Sequence, residues 1–130
     1  MRLAHETEDL QLDADRVAEG VRALLQDPSK GVYYVALSGE VVAGQVMITY
    51  EWSDWRDGNL WWLQSVDVAP EFRNRGIFRA LFEHVRRLAE HTPRVRGLRL
   101  YMHAENHRAR KSYERLGMKP TRYEVFELEL

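Results

Sequence analysis

Leu60-Trp61-Trp62-Leu63-Gln64-Ser65-Val66-Asp67-Val68-Ala69-Pro70-Glu71-Phe72-Arg73-Asn74-Arg75-Gly76-Ile77-Phe78 decides the fold. From Leu60 to Val68 apolar residues fall on both faces, the pattern of a central strand covered on both sides. Pro70 ends the run, and Arg73-Asn74-Arg75-Gly76 reads as a tight turn. Ile77, Leu81, Val85 and Leu88 then recur at helical spacing, widened by Phe78 and Phe82, so a helix is expected over 74–91. A strand, a turn and a helix start rich in arginine make a seat for a pyrophosphate. The first N–H groups of a helix lack intrahelical partners, and its dipole adds about half a positive charge there. Gly76 removes a Cβ where an oxygen must approach, and Arg73 and Arg75 add charge-assisted donors. An ordinary strand-to-helix turn with surface arginines fits these residues equally well. The stretch is neither a P-loop nor a Gly-x-Gly-x-x-Gly fingerprint.

Working outward, Asp13 to Gln26 reads as a helix capped by Asp13 and stopped by Asp27-Pro28-Ser29-Lys30-Gly31. Strands are expected over 32–37 and 41–52, joined at Ser38-Gly39-Glu40; Gly44 marks a bulge or a close backbone approach. After the long helix come a loop over 92–97, a strand over 98–102, a helix over 106–116 with Gly117 as its C-cap, and a last alternating strand over 121–130. This order describes one mixed α/β domain, an antiparallel meander followed by β-α-β-α-β units.

The 106–116 helix carries the second informative pattern. Asn106, Ala109 and Tyr113 lie at offsets of three, four and seven and share a face. A tyrosine there is usually core, but a buried amide beside it needs partners, which an amide-containing ligand supplies. A phosphate seat and a phenol aimed at one cleft suggest a nucleotide-linked acyl carrier and a proton donor.

Composition excludes several classes. The chain has 130 residues, no cysteine, 45% hydrophobic and 30% charged residues, and a formal charge of -1. One domain with a real core is expected. Disulfides, thiolate metal sites and a cysteine nucleophile are excluded, and a cytoplasmic location is expected. No run approaches the ~20 apolar residues of a membrane span, and Met1-Arg2-Leu3-Ala4-His5-Glu6 lacks a signal-peptide core. The arginines between Arg73 and Arg99 make a basic zone, but the balanced charge argues against a nucleic-acid partner. No metal is expected: His103 and His107 are four apart across a strand-to-helix junction.

Together, Arg73-x-x-Gly76 after the central strand and Asn106-x-x-Ala109-x-x-x-Tyr113-x-x-x-Gly117-Met118 resemble the GNAT superfamily of acetyl-CoA-dependent N-acetyltransferases. The tract from Glu51 to Arg56 and on through Trp61 to Val66 is similar to a bacterial subgroup of it. The resemblance runs from about Asp13 to Glu127. It implies a central, mostly antiparallel twisted sheet with a splayed parallel strand pair and helices on both faces. It implies transfer of acetyl from acetyl-CoA to a primary amine of a small molecule or peptide through a ternary complex, in a homodimer. Val66, Asp67 and Val68 would run beside the pantetheine arm. Arg73, Asn74, Arg75, Gly76, Ile77 and Phe78 would cradle the pyrophosphate, Asn106 would hydrogen-bond the pantetheine, and Tyr113 would protonate the departing thiolate. Two residues depart from the pattern: Phe78 stands where Gly or Ala is usual, and Gln64 lies where many members carry a glutamate base. Gln64 would orient a water, and Glu51, Asp67, His103 and Glu105 are candidate bases. Trp52 and Trp55, near Asp54, are read as an aromatic wall for the amine. The resemblance also implies that the first strand and most of the first helix are absent here, which leaves the strand over 32–37 as an exposed edge. A non-catalytic acyl-CoA-binding module is the alternative reading.

Overall fold

The computed structural model describes residues 13–130. Helix α1 is Ala14–Gln26, and Asp13 caps it by accepting from Asp15 N at 3.0 Å and Arg16 N at 3.1 Å. Strands β1 (Val32–Ser38), β2 (Val41–Ser53) and β3 (Gly58–Val68) form an antiparallel meander. A 3-10 turn, Pro70–Phe72, leads toward α2 (Ile77–Glu90), which crosses over to β4 (Val95–Leu100), and α3 is His107–Arg115. The sheet order is β1-β2-β3-β4, with β3 and β4 parallel. Among the described residues β1 is therefore an edge, and Val35 and Leu37 on it are exposed.

The core lies between one sheet face and α2. Val46, Ile48, Trp61 and Leu63 meet Leu81, Phe82, Val85 and Ala89, and Leu116 closes the cluster from the end of α3. The stripe expected for the long helix is thus its buried face, but the helix begins at Ile77 rather than Asn74. Asn74 and Gly76 have left-handed backbones, φ 63° and 77°, which the helix cannot include. Gly44 is a close approach: a Cβ there would lie 2.8 Å from Ile77 Cγ2 and 3.1 Å from the Asp67 carbonyl oxygen.

Two expected strands are corrected. β4 runs over 95–100 rather than 98–102. Gly97, expected in a loop, sits inside the strand opposite Leu60, where a Cβ would come within 3.2 Å of the Leu60 side chain. The last expected strand, 121–130, joins no ladder among the described residues, and all of its residues are exposed.

Candidate active site

The strand pair that makes the site stops pairing before its end. The β3–β4 register runs from Asn59↔Val95 to Leu63↔Leu100, and beyond that row the strands part. At the same point β3 carries a bulge. Gln45 faces Asp67 while Met47 faces Gln64, so Ser65 and Val66 together oppose Val46 alone. Ser65 takes φ 48°, a conformation a non-glycine residue rarely adopts. The bulge shifts the inward phase of the strand: Trp61 and Leu63 face the core before it, and Val66 packs on the same cluster after it.

A cleft of about 810 Å³ opens where the strands part, within the size range of small-molecule sites. Gln64, Ser65, Val66 and Val68 line one side, and Asn106, Ala109, Ser112 and Tyr113 of α3 line the other. The face predicted for Asn106, Ala109 and Tyr113 is therefore the face that meets the cleft. Asn106 is the N-cap of α3 rather than its first residue; its Oδ1 accepts from Ala109 N at 3.0 Å. That bond uses the oxygen and leaves the NH₂ to point elsewhere. The C-terminal end of α3 is locked as well. Gly117 N donates to Glu114 O and Met118 N to Tyr113 O, with Gly117 at φ 94°, the paired bonds of a Schellman motif. Tyr113 is thus held through its own carbonyl.

The turn before α2 forms the charged end of the cleft. A Cβ at Gly76 would meet nothing within 4 Å, so the helix start is open to an approaching group. Arg73 lines the cleft and donates from Nε to the Val68 carbonyl at 3.1 Å. A second hollow of about 430 Å³ adjoins it, lined by Asn74, Gly76, Ile77 and Arg79 with Arg108 and Arg115. Arg108 donates to Asn74 Oδ1 at 3.1 Å and ties α3 to the turn. Sequence reasoning missed Arg108 as a residue of this hollow. The signal was present: Arg108, Ser112 and Arg115 repeat at i, i+4 and i+7. Arg75 instead lies over the Phe72 ring at 5.8 Å. Phe78 packs against the core cluster and meets Tyr113 edge-on at 5.8 Å and Phe82 at 6.2 Å, so its ring sits between α2 and α3.

The other expected residues divide. Gln64 lines the cleft, and its Nε2 donates to the Thr49 hydroxyl. Asp67 sits in the ladder opposite Gln45 and is not among the cleft-lining residues. Glu51 is set back from the cleft, accepting from Trp62 Nε1 at 2.8 Å and from Arg99 at 3.5 Å. Trp62 in turn stacks on Tyr101 at 4.4 Å, and Arg99 reaches over both Trp62 and Tyr123. The aromatic surface beside the cleft is therefore Trp62 and Tyr101. Trp52 pairs with Asn59 and Trp55 lies in the hairpin turn, at the end of the sheet away from the bulge. His103 lines the cleft and accepts from Glu105 N at 3.3 Å; Glu127, on the exposed tail, also lines it. Among the described residues there is no group of His, Cys, Asp or Glu placed to hold a metal, and no helix long and apolar enough to cross a membrane.

A parting parallel strand pair, a bulge at the point of parting and a phosphate-suited turn feeding the next helix agree with the sequence comparison. The profile of the acetyltransferase (GNAT) family matches residues 3–118. The chain belongs to the GNAT acetyltransferase family. Among solved structures, a possible acetyltransferase from Clostridium difficile 630 shares 44% identity at a TM-score of 0.92, covering 99% of this chain and 85% of that one. An AAC(6')-Iy structure with a bisubstrate analog, CoA-S-monomethyl-acetylneamine, superposes at a TM-score of 0.71 with 22% identity, over 92% of this chain and 82% of that one. The aminoglycoside N-acetyltransferase AAC(6')-Iy in complex with CoA gives 0.68 and 22%, over 89% and 87%. At that identity these two show the fold. No curated protein sequence matches the chain. This GNAT chain is an acyltransferase, and its co-substrate is acetyl-CoA. The residues present fit that molecule: an open helix start for phosphate, arginines around it, and a strand edge beyond Leu63 that β4 does not pair.

Proposed function

We propose that this GNAT protein moves an acetyl group from acetyl-CoA to a primary amine by direct attack, with Tyr113 as the acid. The observation that carries the reading is that Tyr113, Asn106 and the bulged end of β3 line one cleft. Acetyl-CoA supplies the activated thioester. The turn from Arg73 to Phe78 and the start of α2 hold its phosphates, Arg108 adds a cation, and the edge at Val66 to Val68 aligns its arm. The Val66 N–H would donate to the carbonyl oxygen as negative charge gathers there. The Tyr113 hydroxyl donates a proton to the departing sulfur. A free alkylammonium has a pKa of about 10.4, so the amine must lose a proton before attack. Gln64, fixed by Thr49, orients the water that takes it, and His103 and Glu127 are the cleft-lining groups able to receive it. Glu51 holds Trp62 and Arg99 instead, which makes it a positioning residue for the aromatic surface on which the acceptor rests.

Tyr113→Phe keeps the ring against Phe78 and removes the proton, so kcat should fall by ~10²–10⁴ with melting temperature and acetyl-CoA affinity preserved. A loss below about tenfold would remove Tyr113 from the acid role. Isothermal titration of acetyl-CoA against Gly76→Ala and Gly76→Glu tests the seat. Both carry the same backbone strain at φ 77°, and the glutamate alone adds charge. Binding weakened in Glu far beyond Ala places phosphate there; equal affinities would place it elsewhere.

A further inference from the structure

The face of α3 that carries Tyr113 is not its only patterned face. Arg108, Ser112 and Arg115 form a second stripe, roughly a third of a turn round the helix from Asn106, Ala109 and Tyr113. The first stripe meets the cleft, and the second meets the hollow beside the turn. Four arginines line that hollow: Arg73 from the turn, Arg79 from the first turn of α2, and Arg108 and Arg115 from α3. No carboxylate lines it among the described residues. Guanidinium groups gathered from separate elements repel one another, and a bound anion offsets that cost. Arg108 is already held toward the hollow by its 3.1 Å bond to Asn74 Oδ1. The hollow is also continuous with the cleft, since Val68, Arg73, Phe78, Arg108 and Ser112 line both. A ligand that fills the cleft thus passes on into the arginines.

We infer that Arg79, Arg108 and Arg115 hold the 3′-phosphate on the ribose of acetyl-CoA, and that the protein thereby selects the 3′-phosphorylated carrier over its dephospho form. The inference rests on the diphosphate seat at Gly76 proposed above. Acetyl-CoA carries two anionic groups separated by a ribose, the 5′-diphosphate and the 3′-phosphate. The site offers two positive seats. One is the open helix start at Gly76, whose donors are backbone N–H groups. The other is the arginine stripe, which from Arg108 to Arg115 runs roughly 10 Å along α3. A diphosphate at Gly76 leaves the far end of that stripe to a second anion. A phosphate monoester suits it: near neutrality it carries about 1.5–2 negative charges and three strong acceptor oxygens. The planar fork of a guanidinium meets such oxygens in pairs. Arg79, Arg108 and Arg115 are all exposed, so they can turn onto the group without repacking the core. The contact lies away from the thioester end, so it should act on binding and not on the chemical step.

Isothermal titration of acetyl-CoA and of acetyl-dephospho-CoA, each against the parent, Arg79→Ala and Arg115→Ala, tests it. The parent should bind acetyl-CoA about tenfold more tightly than the dephospho form. Each variant should lose most of that preference by weakening acetyl-CoA alone, with the melting temperature preserved. In turnover by the parent, the dephospho form should raise KM about tenfold at constant kcat. Adenosine 3′,5′-bisphosphate, which has neither diphosphate nor thioester, should bind the parent more tightly than adenosine 5′-monophosphate, and Arg115→Ala should erase the difference. Equal affinity of the parent for the two carriers overturns the inference and leaves the diphosphate seat standing. Variants that weaken both carriers alike also overturn it, because the arginines then serve the diphosphate or the fold. A preference that the arginine variants erase but Gly76→Glu leaves untouched upholds the arginine site and refutes the seat at Gly76.

Discussion

Gly44→Ala tests how the sheet seats the helix that begins the phosphate turn. The added methyl would sit 2.8 Å from Ile77 Cγ2, 3.1 Å from the Asp67 carbonyl oxygen and 3.5 Å from Leu81 Cδ1. The first contact requires Ile77, the opening residue of α2, to retreat by several tenths of an ångström. The second is to strand backbone, which cannot yield cheaply. Overpacking of this kind costs ~1–3 kcal/mol. Alanine returns ~0.4–1 kcal/mol by restricting the unfolded chain. The net loss is about 1–2 kcal/mol, or roughly 3–10 °C in melting temperature for a chain of this size. Calorimetry would measure it, and titration of acetyl-CoA should show affinity falling with it, because the displaced residue adjoins Gly76. Ile77→Ala in the same chain should relieve the contact, so the double variant should be less damaged than the sum of the singles by about 1 kcal/mol. If Gly44→Ala melts at or above the parent, the close approach of α2 to β2 is wrong, and so is the reason given for glycine there.

Asn106→Ala should destabilise the protein by ~0.5–2 kcal/mol through loss of the α3 cap, whereas Asn106→Ser keeps a cap and should restore most of it. Both lack the NH₂, so both should bind acetyl-CoA more weakly; serine with parental affinity would reduce Asn106 to a cap in denaturation and titration experiments alike. Asp27 gives a pH signature. It accepts from Ser29 Oγ, Lys30 Nζ and Ser29 N, and these bonds hold its carboxyl below the ordinary value of 3.8. A depressed carboxylate stabilises fully above the unfolded value and ceases to do so as pH falls through the folded one. The melting temperature of the parent should therefore exceed that of Asp27→Asn near neutrality, and the gap should close below about pH 4; a gap independent of pH would show that the carboxylate charge plays no part.

Local rules reached far in this chain because most of it obeys them together. The meander, the crossover helix and its buried stripe follow from periodicity, and the shared face of Asn106, Ala109 and Tyr113 follows from helical offsets. The misses arise where a tertiary contact overrides local chemistry. Gly97 looks like a loop residue until Leu60 is laid across it. The bulge hid in plain view as two adjacent polar residues, Gln64 and Ser65, between Leu63 and Val66, a slip in phase that a search for strands smooths over. Arg108 and Glu51 resist reading from sequence for a different reason: a long charged side chain is assigned by what it reaches, Asn74 in one case and Trp62 in the other. The tail over 121–130 has a strand's alternation, but alternation alone does not supply a neighbour, and among the described residues none pairs with it.

The parting of β3 from β4 beyond Leu63 and Leu100 would tie the protein's lifetime to metabolism if acetyl-CoA aligns along the edge it leaves. A molecule that aligns along that edge acts as tertiary structure, and whatever binds only the folded chain resists its unfolding. At a hundred times its dissociation constant such a ligand adds about 2.7 kcal/mol, enough to cut the unfolded fraction roughly a hundredfold. Acetyl-CoA at such an excess would thus slow proteolysis of this chain through its unfolded state.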